Sequence, residues 1–207
     1  MPAKHHVVYV PGLNDQRKNY ELIVNRWRSY GVIPHVHRVG WHDEKPFKSK
    51  LKRLVEEVRV YLDKGDSVSL VGGSAGGSAV LNALAEEPRI NAVVNLCGRL
   101  QAGVGVFPSL DQSAKTSNSF KESVMLFEHR EPKLTRSFRT KVLCLIPVFD
   151  EIVPRSTASL KGATNQTLFS VEHMVSGLLG MTIFSPMIFG FFKKLEDKSG
   201  TRNGLLI

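Results

Sequence analysis

One stretch limits what this chain can fold into more than any other. Residues 67–77 read SVSLVGGSAGG. Ser67 to Val71 is a β-branched, apolar run suited to a buried strand. It breaks into Gly72-Gly73-Ser74-Ala75-Gly76-Gly77, and a helix-forming segment, Ala79 to Leu84, follows. G-x-S-x-G between strand and helix predicts a sharp, strained turn with the Ser74 hydroxyl exposed. Side chains at positions 72 and 76 would collide in that turn, so glycine suits both. The turn also sets Ser74 at a helix N-terminus, where backbone N–H groups and the helix dipole favour a developing negative charge. A glycine-rich turn that merely packs a helix on a strand has the same composition. What Ser74 does therefore depends on what the rest of the chain supplies.

Two features downstream supply it. Val142 to Val148 reads as a buried strand, and Phe149-Asp150-Glu151-Ile152-Val153-Pro154 follows. An acid just past the carboxyl end of a strand lies where open α/β sheets bind ligands. A shorter strand, Thr167 to Val171, ends in Glu172-His173 before a long apolar segment. The chain order is Ser74, Asp150, His173. A serine hydroxyl is a weak nucleophile at neutral pH, so an imidazole must take its proton. The imidazole in turn needs a carboxylate to fix its tautomer and stabilise its charged form. Glu151 and Asp111 are the competing acids. Asp150 is preferred for its place after the strand, and Glu172 reads as structural because adjacency in sequence does not orient an imidazole.

In these motifs the sequence resembles the small, serine-dependent α/β-hydrolases, of esterase or lipase type. The resemblance rests on Val7-Val8-Tyr9-Val10-Pro11-Gly12-Leu13-Asn14, on Gly72-Gly73-Ser74-Ala75-Gly76, on Asp150 with Ile152-Val153-Pro154, and on His173. It spans nearly the whole chain. It implies a compact, mostly parallel sheet flanked by helices, with Ser74 as nucleophile, His173 as general base and acid, and Asp150 as its partner. The N–H groups of Leu13 and Ala75 are then the oxyanion donors. The activity implied is cleavage of an ester, thioester or related acyl bond through an acyl-enzyme, with no metal or organic cofactor. Many members carry His-Gly after the first core strand, whereas this chain has Pro11-Gly12. The rival reading is a non-catalytic interaction module, or a membrane-surface protein, on the same fold. The intact order of the three residues argues against it.

The remaining pattern alternates strand and helix, as a parallel α/β sheet requires. Val7–Val10 is a strand. Tyr20, Ile23, Val24 and Trp27 have helical spacing. Val32–Val39 reads as an irregular or edge strand because of Pro34. Leu51, Leu54, Val55, Val58 and Leu62 mark a helix, and Ala92–Cys97 a strand. Residues 99–139 break the rhythm. The resemblance implies a short lid-like insertion over the site here, within a single domain spanning 1–207; a surface loop is the alternative, and Phe120–His129 reads as a helix.

Composition excludes several alternatives. A chain of 207 residues can bury a substantial core. The net charge of +9 comes from clusters at Lys48–Arg53, Lys133–Lys141 and Lys193-Lys194. These read as solvated faces, and no aromatic residues interleave with them as a nucleic-acid platform would require. Cys97 and Cys144 lie in apolar runs and read as buried thiols, which suits a reducing compartment. No secretory signal is visible, so the expectation is cytoplasmic. His5 and His6 flank the first strand. His35, His37 and His42 with Asp43 and Glu44 lack the spacing of a metal site. Val175 to Phe192 is uncharged and reaches the lower length limit of a membrane span. Its glycines and Pro186, and its place directly after His173, suit a buried terminal helix better. Membrane-surface association is the unfavoured alternative. The expected partner is a small acyl substrate. Oligomeric state is not legible.

Overall fold

The computed structural model describes residues 3–203, with side chains to position 197. Six strands form one sheet: β1 (His5–Val10), β2 (Ile33–Val36), β3 (Ser67–Gly73), β4 (Ala92–Leu96), β5 (Val142–Phe149) and β6 (Thr164–Val171). Their spatial order is β2-β1-β3-β4-β5-β6, and every pairing is parallel. The chain runs from β1 out to the β2 edge, then returns past β1 to build the other side. The order reverses between β1 and β3, and the carboxyl ends of two such strands form a crevice.

Parallel sheets need cover on both faces. The nine helices among the described residues are α1 (Tyr20–Val24), α2 (Phe47–Leu62), α3 (Gly76–Glu86), α4 (Leu110–Ser113), α5 (Asn118–Arg130), α6 (Arg136–Thr140), α7 (Arg155–Ala158), α8 (His173–Met181) and α9 (Ser185–Asn203). The alternation of strand side chains assigns the two layers. Val8 and Val10 of β1, Val68 and Leu70 of β3, and Cys144 and Ile146 of β5 pack with Leu51, Leu54 and Val58 of α2, Leu81 and Leu84 of α3, and Phe120, Val124 and Phe127 of α5. Val7 and Tyr9, Val71, and Leu143 and Leu145 face the other way, against Tyr20, Val24, Trp27, Met181, Ile188, Phe189 and Phe192.

Three expectations change in detail. The second strand is only four residues long. Pro34 sits in it without harm, because β2 is an edge and a missing N–H there leaves no ladder open. The first helix passes into a 3₁₀ turn over Asn25–Tyr30. Residues 99–139 show no lid, and none of them lines the cleft beside Ser74. The apolar spacing of Phe120, Val124 and Phe127 is a helix face, and that face packs on α3. Ser78 and Ser123 hydroxyls meet at 2.7 Å, and the Asn82 amide donates to the Ser123 carbonyl at 2.9 Å. The loop before α4 is tied down by the fully buried Arg99, whose guanidinium donates to the carbonyls of Gln101, Ala102 and Pro108.

The C-terminal apolar segment is two helices that meet at a 53° bend. The break spans residues 182–184, just before Pro186, which occupies the first turn of α9 where a missing N–H costs nothing. Trp27 Nε1 donates to the Met181 carbonyl at the end of α8, 2.9 Å away, and Phe189 packs edge-on against the Trp27 ring. No single helix among the described residues is long and apolar enough to cross a membrane; the bent pair passes that test by length and composition only.

Candidate active site

The crevice at the reversal of strand order is where the chemistry-bearing residues meet. β3 ends at Gly73, and Ser74 follows in the left-handed region at φ 52°. A non-glycine residue there is strained, and the surroundings must hold it. They do so through two backbone bonds: Ser74 N–H donates to the Leu96 carbonyl, and Gly77 N–H to the Ser74 carbonyl, both at 2.9 Å. The turn is so tight that a Cβ on Gly76 would overlap the Val10 carbonyl. The loop after β1 closes on the same point. A Cβ on Gly12 would lie 2.8 Å from the Ser74 Cβ.

His173 is the first residue of α8 and is buried. Its Nε2 is 2.8 Å from Ser74 Oγ, and its Nδ1 is 2.7 Å from Asp150 Oδ2. The second Asp150 oxygen, Oδ1, accepts the backbone N–H groups of Ile152 (2.9 Å) and Val153 (2.7 Å). This is why the acid stands in the sequence Asp-x-x-Val-Pro: the turn after β5 folds around one carboxylate oxygen and leaves the other for the imidazole. A carboxylate only accepts, so the proton sits on Nδ1 and Nε2 is left to accept from the serine hydroxyl.

The competing acids have other duties. Glu151 accepts the backbone N–H of His173 with both oxygens, at 3.0 and 3.2 Å. Glu172, in a left-handed conformation at φ 74°, caps α8 by accepting the amides of Met174 (3.0 Å) and Val175 (2.7 Å). Those amides hold its carboxyl below the usual range. Both glutamates therefore fix the backbone that carries the imidazole. Asp111 pairs with Lys121.

Leu13 lines the crevice, and Ala75 directly follows the serine. Neither N–H donates to another residue among those described. The loop bearing Leu13 is held by a dipeptide that gave no such signal in the sequence. Trp41 Nε1 donates to the Pro11 carbonyl at 3.1 Å, and His42 Nε2 lies 2.9 Å from the Leu13 carbonyl. His42 is thus a loop tether. His37 pairs with Glu57, and His35 with His6, and no group of three or more metal-ligating side chains gathers among the described residues.

Beside Ser74 opens a cleft of about 400 Å³. Its walls are the β1–α1 loop with α1 (Leu13, Asn14, Arg17, Asn19, Tyr20, Ile23), one face of α8 (Met174, Val175, Leu178, Met181) and Ile152. None comes from residues 99–139. Tyr9 and Cys97 also line it. Burial, and secondarily the Asp150 charge, pushes the Cys97 thiol up, so it is no rival nucleophile. Both cysteines are free and buried, and burial holds Cys144 up to about 12.

Comparison with solved structures gives the same architecture from proteins of very different sequence. The structure reported for the metagenome-derived lipolytic enzymes LipS and LipT superposes with a TM-score of 0.67 over 93% of this chain and 94% of that one, at 13% identity. A monoacylglycerol lipase from Paleococcus ferrophilus gives 0.63 over 92% and 94%, at 16% identity. An alpha/beta hydrolase enzyme from the metagenome of lagoon sediments at Mar Chica, Morocco, gives 0.63 over 93% and 92%, also at 16%. The chain has the α/β-hydrolase fold. No protein-family model and no curated protein matches the sequence. At such identities the likeness concerns the fold. Within the α/β-hydrolase fold, Ser74 stands at the elbow after a central strand, and Asp150 and His173 stand on the loops after β5 and β6.

Proposed function

We propose that the protein is a serine hydrolase of ester or related acyl bonds. The observation that carries this reading is the unbroken hydrogen-bonded line from Ser74 Oγ through the His173 ring to Asp150, with spans of 2.8 and 2.7 Å. Ser74 Oγ attacks the carbonyl carbon while its proton passes to His173 Nε2. Asp150 accepts from Nδ1 throughout and balances the imidazolium that forms. The carbonyl oxygen becomes an oxyanion, received by the N–H groups of Leu13 and Ala75, which have no other acceptor among the described residues. The imidazolium then protonates the leaving group, giving an acyl-Ser74. Water, deprotonated by the same Nε2, attacks the acyl carbon and releases the acid. The mostly apolar cleft suits the hydrocarbon part of an acyl ester, and the lipolytic character of the structural neighbours supports the same choice.

The test is active-site labelling joined to turnover. A fluorophosphonate should label wild type and not Ser74→Ala. Hydrolysis of p-nitrophenyl butyrate should fall by roughly 10⁶ in kcat in that variant, as for removal of a nucleophile in a serine protease. Labelling of Ser74→Ala at the wild-type rate would refute the assignment.

A further inference from the structure

The cleft wall carries an asymmetry of charge. Of the side chains that line it none is acidic, and Arg17 is the one that is cationic at every accessible pH. Arg17 is exposed on the cleft wall. Asn14 and Asn19 line the same side, while the rest of the wall is largely apolar. The Arg17 cation stands near the Tyr20 phenol, opposing the upward push that burial gives that group.

The acids that might neutralise Arg17 are engaged elsewhere. Asp15 is fully buried, and its Oδ2 accepts the Gly40 N–H at 2.6 Å. Glu21 pairs with Arg38. The Arg17 backbone is pinned, its N–H donating to the Asn14 carbonyl (3.2 Å) and its carbonyl accepting from Arg38 Nη2 (3.3 Å). Arg59, Arg89, Arg99, Arg130, Arg139 and Arg155 all donate to carboxylates, carbonyls or hydroxyls. The Arg17 guanidinium donates to no described residue. Arg26, Arg28 and Arg136 share that freedom but line no part of the cleft. A pinned backbone presenting an unneutralised guanidinium on the exposed wall of a largely apolar cleft is suited to a carboxylate or phosphate.

Resting on the hydrolase reading above, we propose that the cleft selects esters bearing an anionic group and that Arg17 is the residue that recognises it. The anion is carried on the acyl part or on the alcohol part, and two substrate pairs separate these sources. Mono-p-nitrophenyl adipate against p-nitrophenyl hexanoate places a carboxylate on the acyl end. Butyryl glycerol phosphate against butyryl glycerol places a phosphate on the leaving side. The readout is the ratio of kcat/KM, anionic over neutral, which is internal to each variant and so independent of its folded fraction.

In at least one pair, Arg17→Gln should lower this ratio about tenfold relative to wild type, a charge-assisted hydrogen bond weakened by exposure to water. Arg17→Lys should restore part of it, and added salt should lower the wild-type ratio through screening. Arg136→Gln, which changes net charge equally, should leave it unmoved. An unchanged ratio in both pairs for Arg17→Gln, or an equal change in Arg136→Gln, overturns the inference. In either case continued hydrolysis of the neutral esters leaves the serine-hydrolase reading standing. If wild type hydrolyses none of the four and resists the fluorophosphonate, both fall together.

Discussion

Replacing Asp150 by asparagine separates the two jobs of that side chain. Asp150 Oδ1 organises the turn after β5 by accepting the amides of Ile152 and Val153, while Oδ2 accepts from His173 Nδ1. Asparagine keeps a carbonyl oxygen for the two amides and sets an NH₂ group 2.7 Å from Nδ1, in place of Oδ2. Two donors cannot share that line, so the imidazole moves its proton to Nε2. The ring then has no lone pair for the Ser74 hydroxyl. The same tautomer error in a serine protease costs about 10⁴ in kcat, or about 5.5 kcal/mol of barrier. Asp150→Ala removes the turn acceptor as well. The Val153 amide, on a buried residue, then loses its partner, at about 1–3 kcal/mol. For a domain of this size that lowers Tm by roughly 2 to 12 °C. Turnover of p-nitrophenyl butyrate and thermal unfolding by circular dichroism, run on both variants, read the two effects apart. The expected outcome is that both variants lose activity and only Asp150→Ala loses stability. Asp150→Asn retaining more than about a hundredth of wild-type kcat would refute the tautomer argument.

Two further outcomes follow from geometry and charge. Gly12→Ala brings a methyl to 2.8 Å from the Ser74 Cβ and should push the Leu13 loop away, lowering kcat by about 10²–10³ as for loss of one oxyanion donor; stopped-time ester assays giving wild-type kcat would exclude Leu13 from that role. Glu87, bound by Arg59 and Arg89, has its carboxyl held down to about 2, first by the hydrogen bonds from Arg89, so its contribution to stability is present above the ordinary carboxylate range and is lost as pH falls toward 2; the Tm gap between wild type and Glu87→Gln should therefore shrink from pH 6 to pH 2.5, and a gap that widens would contradict the linkage.

The residues that meet at the crevice were easier to read in the sequence than the walls around them. Ser74 and Asp150 each carry a local signature, since an elbow needs glycines and an Asx turn needs an acid two and three residues before the amides it binds. His173 follows from strand order. The fold followed from alternation, because a two-faced parallel sheet demands apolar residues on both sides of each strand. Edge elements were harder to read. β6 begins with Thr164-Asn165-Gln166, exposed residues that no hydrophobic pattern marks, since an outer strand can face water. The helical spacing of Phe120, Val124 and Phe127 predicted a helix, but spacing says only that a face is covered, not by what. A lid and a layer helix look alike in one dimension. The cleft wall was illegible for the opposite reason. Arg17, Asn19, Met174 and Leu178 are exposed or partly exposed, and such positions follow no period. Trp41 and His42 act on the Leu13 loop from about thirty residues away, a distance that only the folded β1–β2 connection closes.

One consequence concerns α8. In the proposed mechanism this helix carries the general base on its first residue, and the turns that follow form one wall of the cleft. Its far end is fixed by Trp27, and beyond it the chain bends into α9. Were a ligand too broad for the cleft to push α8 outward, the same tilt would draw Nε2 away from Ser74. Fit and reactivity are then read by a single lever. Oversized esters should still dock but turn over slowly, so discrimination by size falls on kcat more than on KM. Loosening the Trp27 anchor would widen the range of molecules admitted while dulling the catalyst for all of them.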